Sequence, residues 1–177
     1  MTEPQRLKQN TILFLQAMCV WLFLLMLPAS AATQLPFYVS VKFGADKAVE
    51  FSVDLTRNRY YQVELMFPFE NQEQRVAARK LVGEPTRICK ELKDCGVAPS
   101  FLITVRQGTH VLLREERTPG GTNGFSANAF YREILKTSLK PGQYDIRVEV
   151  TYLPAELIDY NAMIQFTTDP RSSDLEN

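Results

Sequence analysis

Cys89 and Cys95 are separated by Lys90-Glu91-Leu92-Lys93-Asp94 and followed at once by Gly96. An isolated close pair of thiols in an oxidising compartment closes a small disulfide loop. Chain entropy gives so short a loop about 2 to 3 kcal/mol, enough to pin a local excursion but not to hold a domain together. The competing chemistry, a redox-active or metal-binding pair, wants C-x-x-C spacing and a nearby histidine, and neither is present. The one histidine is His110, just after a hairpin turn, so a Ser-His-Asp or Cys-His arrangement must use it or do without histidine. Glu115 and Glu116 are adjacent, so on a strand they point to opposite faces and do not form a close carboxylate pair. Thr118-Pro119-Gly120-Gly121-Thr122-Asn123-Gly124 offers backbone N–H groups to an anion, but it lacks the Lys-Ser/Thr of a phosphate loop and reads more simply as a mobile connection. The expectation is a chain without enzyme activity, metal or cofactor.

Surface recognition is what remains. Two loops exceed the needs of a turn: the cystine loop from Thr86 to Ser100, and Thr118 to Asn128, which carries Thr122, Asn123 and Phe125. Tyr38 and Tyr60, with Tyr131 a weaker case, are turned away from the core by strand alternation and suit interface anchors; the alternative is that they cover neighbours on an ordinary wet face. Arg75 and Arg79, four apart on a helix, read as a solvated face or as a contact for an acidic partner.

The elements that must position these residues are mostly strands. Phe37, Val39, Val41 and Phe43 alternate with Tyr38, Ser40 and Lys42, and the same period of two recurs over Val49 to Leu55, Tyr60 to Phe67 and Tyr144 to Tyr152. Phe101 to Val105 lead through Gln107-Gly108 into a return strand with Val111 and Leu113, a hairpin. Phe130 to Thr137 reads as a strand although it would also suit a helix, and Ile164 with Phe166 suggests a closing strand. A short helix runs from Asn71, a plausible N-cap, to Val82, with Gly83 past its end and with Val76, Ala77 and Leu81 towards the sheet. A second short helix fits Ala155 to Tyr160. Half-wet strands need a facing sheet. The expected fold is all-β: a two-layer antiparallel immunoglobulin-like sandwich with one short inserted helix, a closed barrel being the runner-up.

Residues 1–31 read as a secretory signal peptide: Arg6 and Lys8, an apolar run from Ile12 to Leu27, Pro28, then Ala29-Ser30-Ala31. The alternative is an inner-membrane anchor over residues 11–32. Residues 32–168 form one expected domain and 169–177 a flexible tail. The chain balances 20 basic against 20 acidic residues, and loss of the leader leaves a net charge near minus one, so nucleic acid is not an expected partner. Membrane contact is expected only through an uncleaved leader.

The order Ala48-Val49-Glu50-Phe51-Ser52-Val53-Asp54, Tyr60-Tyr61-Gln62-Val63-Glu64-Leu65-Met66-Phe67, a helix ending Leu81-Val82-Gly83, Phe130-Tyr131-Arg132-Glu133-Ile134 and Leu139-Lys140-Pro141-Gly142-Gln143-Tyr144 resembles a family of small secreted proteobacterial domains catalogued as a domain of unknown function. The likeness covers most of residues 37–152 and rests on strand faces and a turn, so it carries no active site. It implies Gram-negative origin, export to the periplasm and a β-sandwich. Small exported sandwiches of this kind are often encoded beside secreted toxins as immunity proteins. The expected function is therefore an exported protein-binding module, an immunity protein against a secreted toxin; the alternative is an accessory part of an envelope secretion or pilus assembly.

Overall fold

The computed structural model describes residues 32–89 and 95–175. The leader expected over residues 1–31 lies outside them. Among the described residues nine strands run in chain order: β1 (Phe37–Lys42), β2 (Ala48–Leu55), β3 (Arg59–Pro68), β4 (Ser100–Gln107), β5 (His110–Arg117), β6 (Gly124–Phe125), β7 (Ala129–Leu139), β8 (Gly142–Tyr152) and β9 (Asn161–Thr168). They form one sheet of order β1-β9-β3-β7-β6 and another of order β2-β8-β4-β5. All ladders between named strands are antiparallel. The helix α1 (Gln72–Val82) carries the chain from β3 in the first sheet to β4 in the second. A two-layer sandwich with one inserted helix, not a barrel, is the architecture.

The inner faces bury Val63, Leu65, Phe67, Ile164 and Phe166 of one sheet against Val53, Phe101, Ile103, Ile146 and Val148 of the other. Rings bridge the layers: Phe51 lies 5.4 Å from Phe37 and 6.0 Å from Phe166, which stacks on Tyr61 at 5.5 Å. Tyr61 and Tyr144 each donate their hydroxyl to the carbonyl four residues upstream, Arg57 at 2.8 Å and Lys140 at 2.9 Å. These bonds fasten two strand entries to their turns, as tyrosine corners do in other sandwiches.

Helix α1 starts where capping chemistry puts it. Asn71 accepts from the Gln74 backbone N–H at 2.9 Å, and the Gln74 side chain reaches back to the Glu70 N–H at 2.7 Å. Gly83, with φ of 69°, ends it. Its buried residues are Ala78 and Val82, while Val76 and Ala77 are exposed. The face expected from the sequence is corrected here, because Phe69 and Phe130 take the space beside Arg75 and Arg79. The segment after Pro154 is a single 3-10 turn, Ala155–Leu157.

Two further expectations change. Strand β3 is buried on both faces: Gln62, Glu64 and Met66 are covered as well as Val63 and Leu65. It is central in its sheet, and flanking segments rise on either side of its outer face. Residues 169–175 are also held, not free: Asp169 donates its N–H to the Tyr60 carbonyl at 3.0 Å and Leu175 donates to Asn58 at 2.7 Å. Asp174 pairs with Arg59 at 2.8 Å. These polar residues look like a tail because they carry no apolar period; backbone and ionic bonds to the Arg57–Tyr60 region hold them.

One irregularity decides what faces where. Between Val63 and Glu64 the β3–β7 register shifts, so Val63 pairs with Leu135 and Glu64 with Glu133, leaving Ile134 as an extra residue. A bulge of this kind flips the facing of everything beyond it. Arg132 turns inward under α1, and Glu133 turns outward.

Candidate functional site

On the outer face of the five-stranded sheet, register places Tyr38, Gln165, Glu64 and Glu133 side by side across β1, β9, β3 and β7. The next row is Thr167, Gln62 and Lys136, and the row on the other side is Ser40, Met163, Met66, Tyr131 and Gly124. This face forms a cleft of about 540 Å³ whose walls include Asn123 on one side and Asp169 with Arg171 on the other.

Its polar groups are ordered. Glu64 accepts from the Asn123 amide at 3.1 Å, and Gln62 donates to Glu133 at 2.9 Å. Lys136 is paired with Asp169 and lies 5.3 Å from the Tyr60 ring. Burial pushes the Glu64 carboxyl up from its ordinary value, against the Asn123 hydrogen bond and helped by the neighbouring carboxylates Glu133 and Asp169. The Lys136 ammonium holds Asp169 down, with help from the Arg171 backbone N–H. A raised carboxyl beside a carboxylate is the pairing used in acid–base chemistry, and equally a set of acceptors for a donor-rich ligand.

The 118–128 segment forms the second part of the site, and it is not a loose connection. Thr122 donates its N–H to Glu84 and receives one from Thr86, both at 3.0 Å, while its hydroxyl donates to the Gly83 carbonyl at 3.0 Å. Gly121 is obligatory, since a Cβ there would lie 1.9 Å from the Glu84 oxygen. Thr122 is consequently buried and its side chain committed to the fold. Asn123 is thereby aimed at Glu64, and β6 then presents Phe125, 75% exposed.

Phe125 lies where two further clefts meet. One, of about 430 Å³, runs along α1 between Arg75, Val76, Arg79, Lys80 and Phe130; the other, of about 690 Å³, lies between Arg79, Thr86, Arg87, Thr122 and Asn123. The second cleft shares Asn123, Gly124 and Arg171 with the sheet cleft, so the two adjoin. Arg75 and Arg79 are not simply solvated. Each lies over a ring, of Phe69 at 5.8 Å and Phe130 at 5.7 Å respectively, and Arg79 also pairs with Glu84 at 2.9 Å.

The residues expected to recognise a partner thus fall into two groups. Arg75, Arg79, Asn123 and Phe125 line the joined clefts, with Thr122 behind them. Tyr38 and Tyr60 lie on the sheet face, Tyr38 at the end of the Glu64 row and Tyr60 under Lys136. Cys89 and Cys95 are disulfide-bonded, with Cα atoms 5.3 Å apart, and stand at the far end of α1. His110 is exposed at the start of β5, away from these clefts. Glu115 pairs with Arg117 and Glu116 accepts from Thr151 at 2.7 Å. Sequence reasoning missed Glu64, Glu133 and Gln165. The available signal was Gln62 and Glu64 on the wet side of a strand too apolar to be an edge.

Among the described residues no cluster of His, Cys, Asp and Glu has the makings of a metal site, and no helix is long and apolar enough to cross a membrane. A search of curated proteins found no match. Among solved structures, the crystal structure of GEBA250068378 from Sulfurospirillum deleyianum is similar over 78% of this chain and 100% of its own, with 20% identity and a TM-score of 0.63. That likeness is one of fold. The pre-peptidase C-terminal domain of collagenase from Bacillus anthracis matches over 80% of this chain and 97% of its own at 9% identity, with a TM-score of 0.35. A family profile matches residues 34–168, and by that match the chain belongs to the family described as a domain of unknown function (DUF5625).

Proposed function

We propose that this chain is an exported, non-enzymatic protein-binding module of the periplasm, acting as an immunity protein that occupies the surface of a secreted toxin. The observation that carries the reading is Phe125, 75% exposed on a two-residue strand at the junction of two clefts. An aromatic ring left in water beside ready-made clefts is the anchor a protein interface uses. The cations Arg75, Arg79, Lys80 and Arg87 around it suit a partner with an acidic rim about an apolar socket. Export is supported by the leader residues and agrees with the Cys89–Cys95 bond.

The test is protection. The full gene is expressed in cells exposed to the toxin encoded beside it; survival should rise with the wild-type chain and fall back with Phe125→Ala. Equal killing with and without the wild-type chain overturns the immunity reading. Substrate turnover by the purified protein, lost in Glu64→Gln, overturns the non-enzymatic one.

A second reading, an accessory envelope component, is favoured by β5. This eight-residue strand lies at a sheet edge, and its Val111–Leu112 stretch, 53% and 51% exposed, is open to a partner strand, whereas its Glu115–Arg117 stretch is charged. It predicts co-purification with envelope assemblies in cells that lack the toxin.

A further inference from the structure

The sheet cleft holds an acceptor with nothing to accept. Gln165 is 8% exposed, and its buried Oε1 has no hydrogen-bond partner among the described residues. An unpaired carbonyl in that position is costly and rare in a folded protein. Its neighbour across the β3–β9 ladder is Glu64, 7% exposed, whose hydrogen-bond donor among the described residues is Asn123. Two buried acceptors therefore stand side by side at the floor of a cleft of about 540 Å³.

We propose that this cleft binds an alkylammonium or guanidinium group, the charged end of a lysine or arginine side chain, with Glu64 and Gln165 Oε1 accepting its N–H bonds. The ligand must donate, because the unsatisfied groups accept. It must also be positive. Glu64, Glu133 and Asp169 face Lys136 and Arg171 across the cleft, one acidic group in excess, and Lys136 is already committed to Asp169. Tyr38, half-exposed beside Gln165 in the same row, is an aromatic neighbour for the cation's alkyl stem. Burial, with help from Glu133 and Asp169, raises the Glu64 carboxyl, and a cation bound against it would act in the opposite direction.

The inference rests on the protein-binding reading only for the source of the cation; the cleft's chemistry stands apart from it. Purified protein is titrated with methylguanidinium, n-butylammonium and N-acetyl-arginine methylamide, with N-methylurea and methyl glucoside as neutral donors, while the backbone amide at position 64, paired with position 165, is followed by NMR. The cations should shift that signal saturably, and both Glu64→Gln and Gln165→Leu should weaken binding at least about tenfold. Gln165→Leu should also raise Tm, because it removes the orphaned acceptor, which keeps a loss of binding distinct from a loss of folding. Tighter binding of the arginine methylamide than of the simple cations assigns the group to a polypeptide; the reverse order assigns it to a free amine. Neutral donors binding as well as the cations, undiminished binding in Glu64→Gln, or no cation response up to tens of millimolar each overturns the proposal. None of these outcomes depends on the Phe125 protection assay.

Discussion

The guanidinium of Arg132 donates to the carbonyl of Cys95 at 2.6 Å, joining the middle of a core strand to the cystine loop. The same group also donates to Leu81 at 2.8 Å, to Val82 at 3.2 Å and to Val97, and lies 5.6 Å from the Phe67 ring. Arg132 is fully buried, and its hydrogen-bond partners among the described residues are backbone carbonyls. The C-terminal end of α1, where carbonyls concentrate partial negative charge, favours a cation at this place. Burial lowers the Arg132 pKa to about 10, which still leaves it charged at neutral pH.

Arg132→Met should therefore destabilise the fold by about 3 kcal/mol or more, since an apolar side chain of similar length leaves a set of buried carbonyls unpaired. Arg132→Lys should recover part of this, because an ammonium keeps the charge but cannot span four acceptors at once. Urea denaturation of both variants measures the difference. A loss below about 1 kcal/mol in the Met variant would show that water replaces the guanidinium.

Removing the disulfide with Cys89→Ser and Cys95→Ser should cost less than losing Arg132, about 2 to 3 kcal/mol at most for so short a loop. Arg132 still grips the Cys95 and Val97 carbonyls in that variant, and the Val97 N–H still bonds to Leu81 at 2.8 Å. Hydrogen exchange should quicken at Cys89 and in the last turn of α1 while the β3 and β9 amides stay protected. Because the two restraints act on one segment, their combined loss should depart from additivity.

Two acids in the sheet cleft should pull stability in opposite directions with pH. Asp169 is held below its ordinary value, so it contributes above the unfolded value of about 3.9, and that contribution is lost as pH falls through its lowered folded value. Glu64 is raised, so its contribution is complete below the unfolded value of about 4.3 and disappears as pH rises through its raised folded value. At pH 7, Glu64→Gln should unfold at higher urea than wild type and Asp169→Asn at lower urea. The Glu64→Gln advantage should vanish at pH 4. A gain that persists unchanged at pH 4 would mean that Glu64 is not the group responsible.

The sandwich was legible because alternation reports which residues of a strand share a face, and the strands of both sheets obey it. Alternation does not report whether the second face is covered. Gln62 and Glu64 have the pattern of a wet face, yet β3 is the middle strand of five and its outer side lies in a cleft. Nor does periodicity see a bulge. Arg132 and Glu133 exchange faces because Ile134 is an extra residue opposite Val63 and Glu64, a change of parity written in the pairing of two strands distant in sequence. The α1 arginines and Phe125 were visible as types, but their meeting depends on Gly121 and Thr122 pairing with Glu84 and Thr86.

The exposed edge at β5 yields the last expectation. Its register sets Glu115 opposite Ile103 and Arg117 opposite Phe101, on the face that points into the sandwich. The two side chains pair with one another at the open margin of the core. Inward-facing charge on an edge strand opposes pairing with another chain, since a docked strand would bury it. With Val111 and Leu112 already exposed, this pair is the charge that guards the inward face of the edge. Replacing both, by Glu115→Val with Arg117→Val, should leave the monomer's secondary structure intact but drive concentration-dependent association, read by light scattering and size-exclusion chromatography. Glu116→Val, on the outward face, should associate far less. Similar association by the inward and outward substitutions would show that overall hydrophobicity, not the facing of the charge, governs this edge.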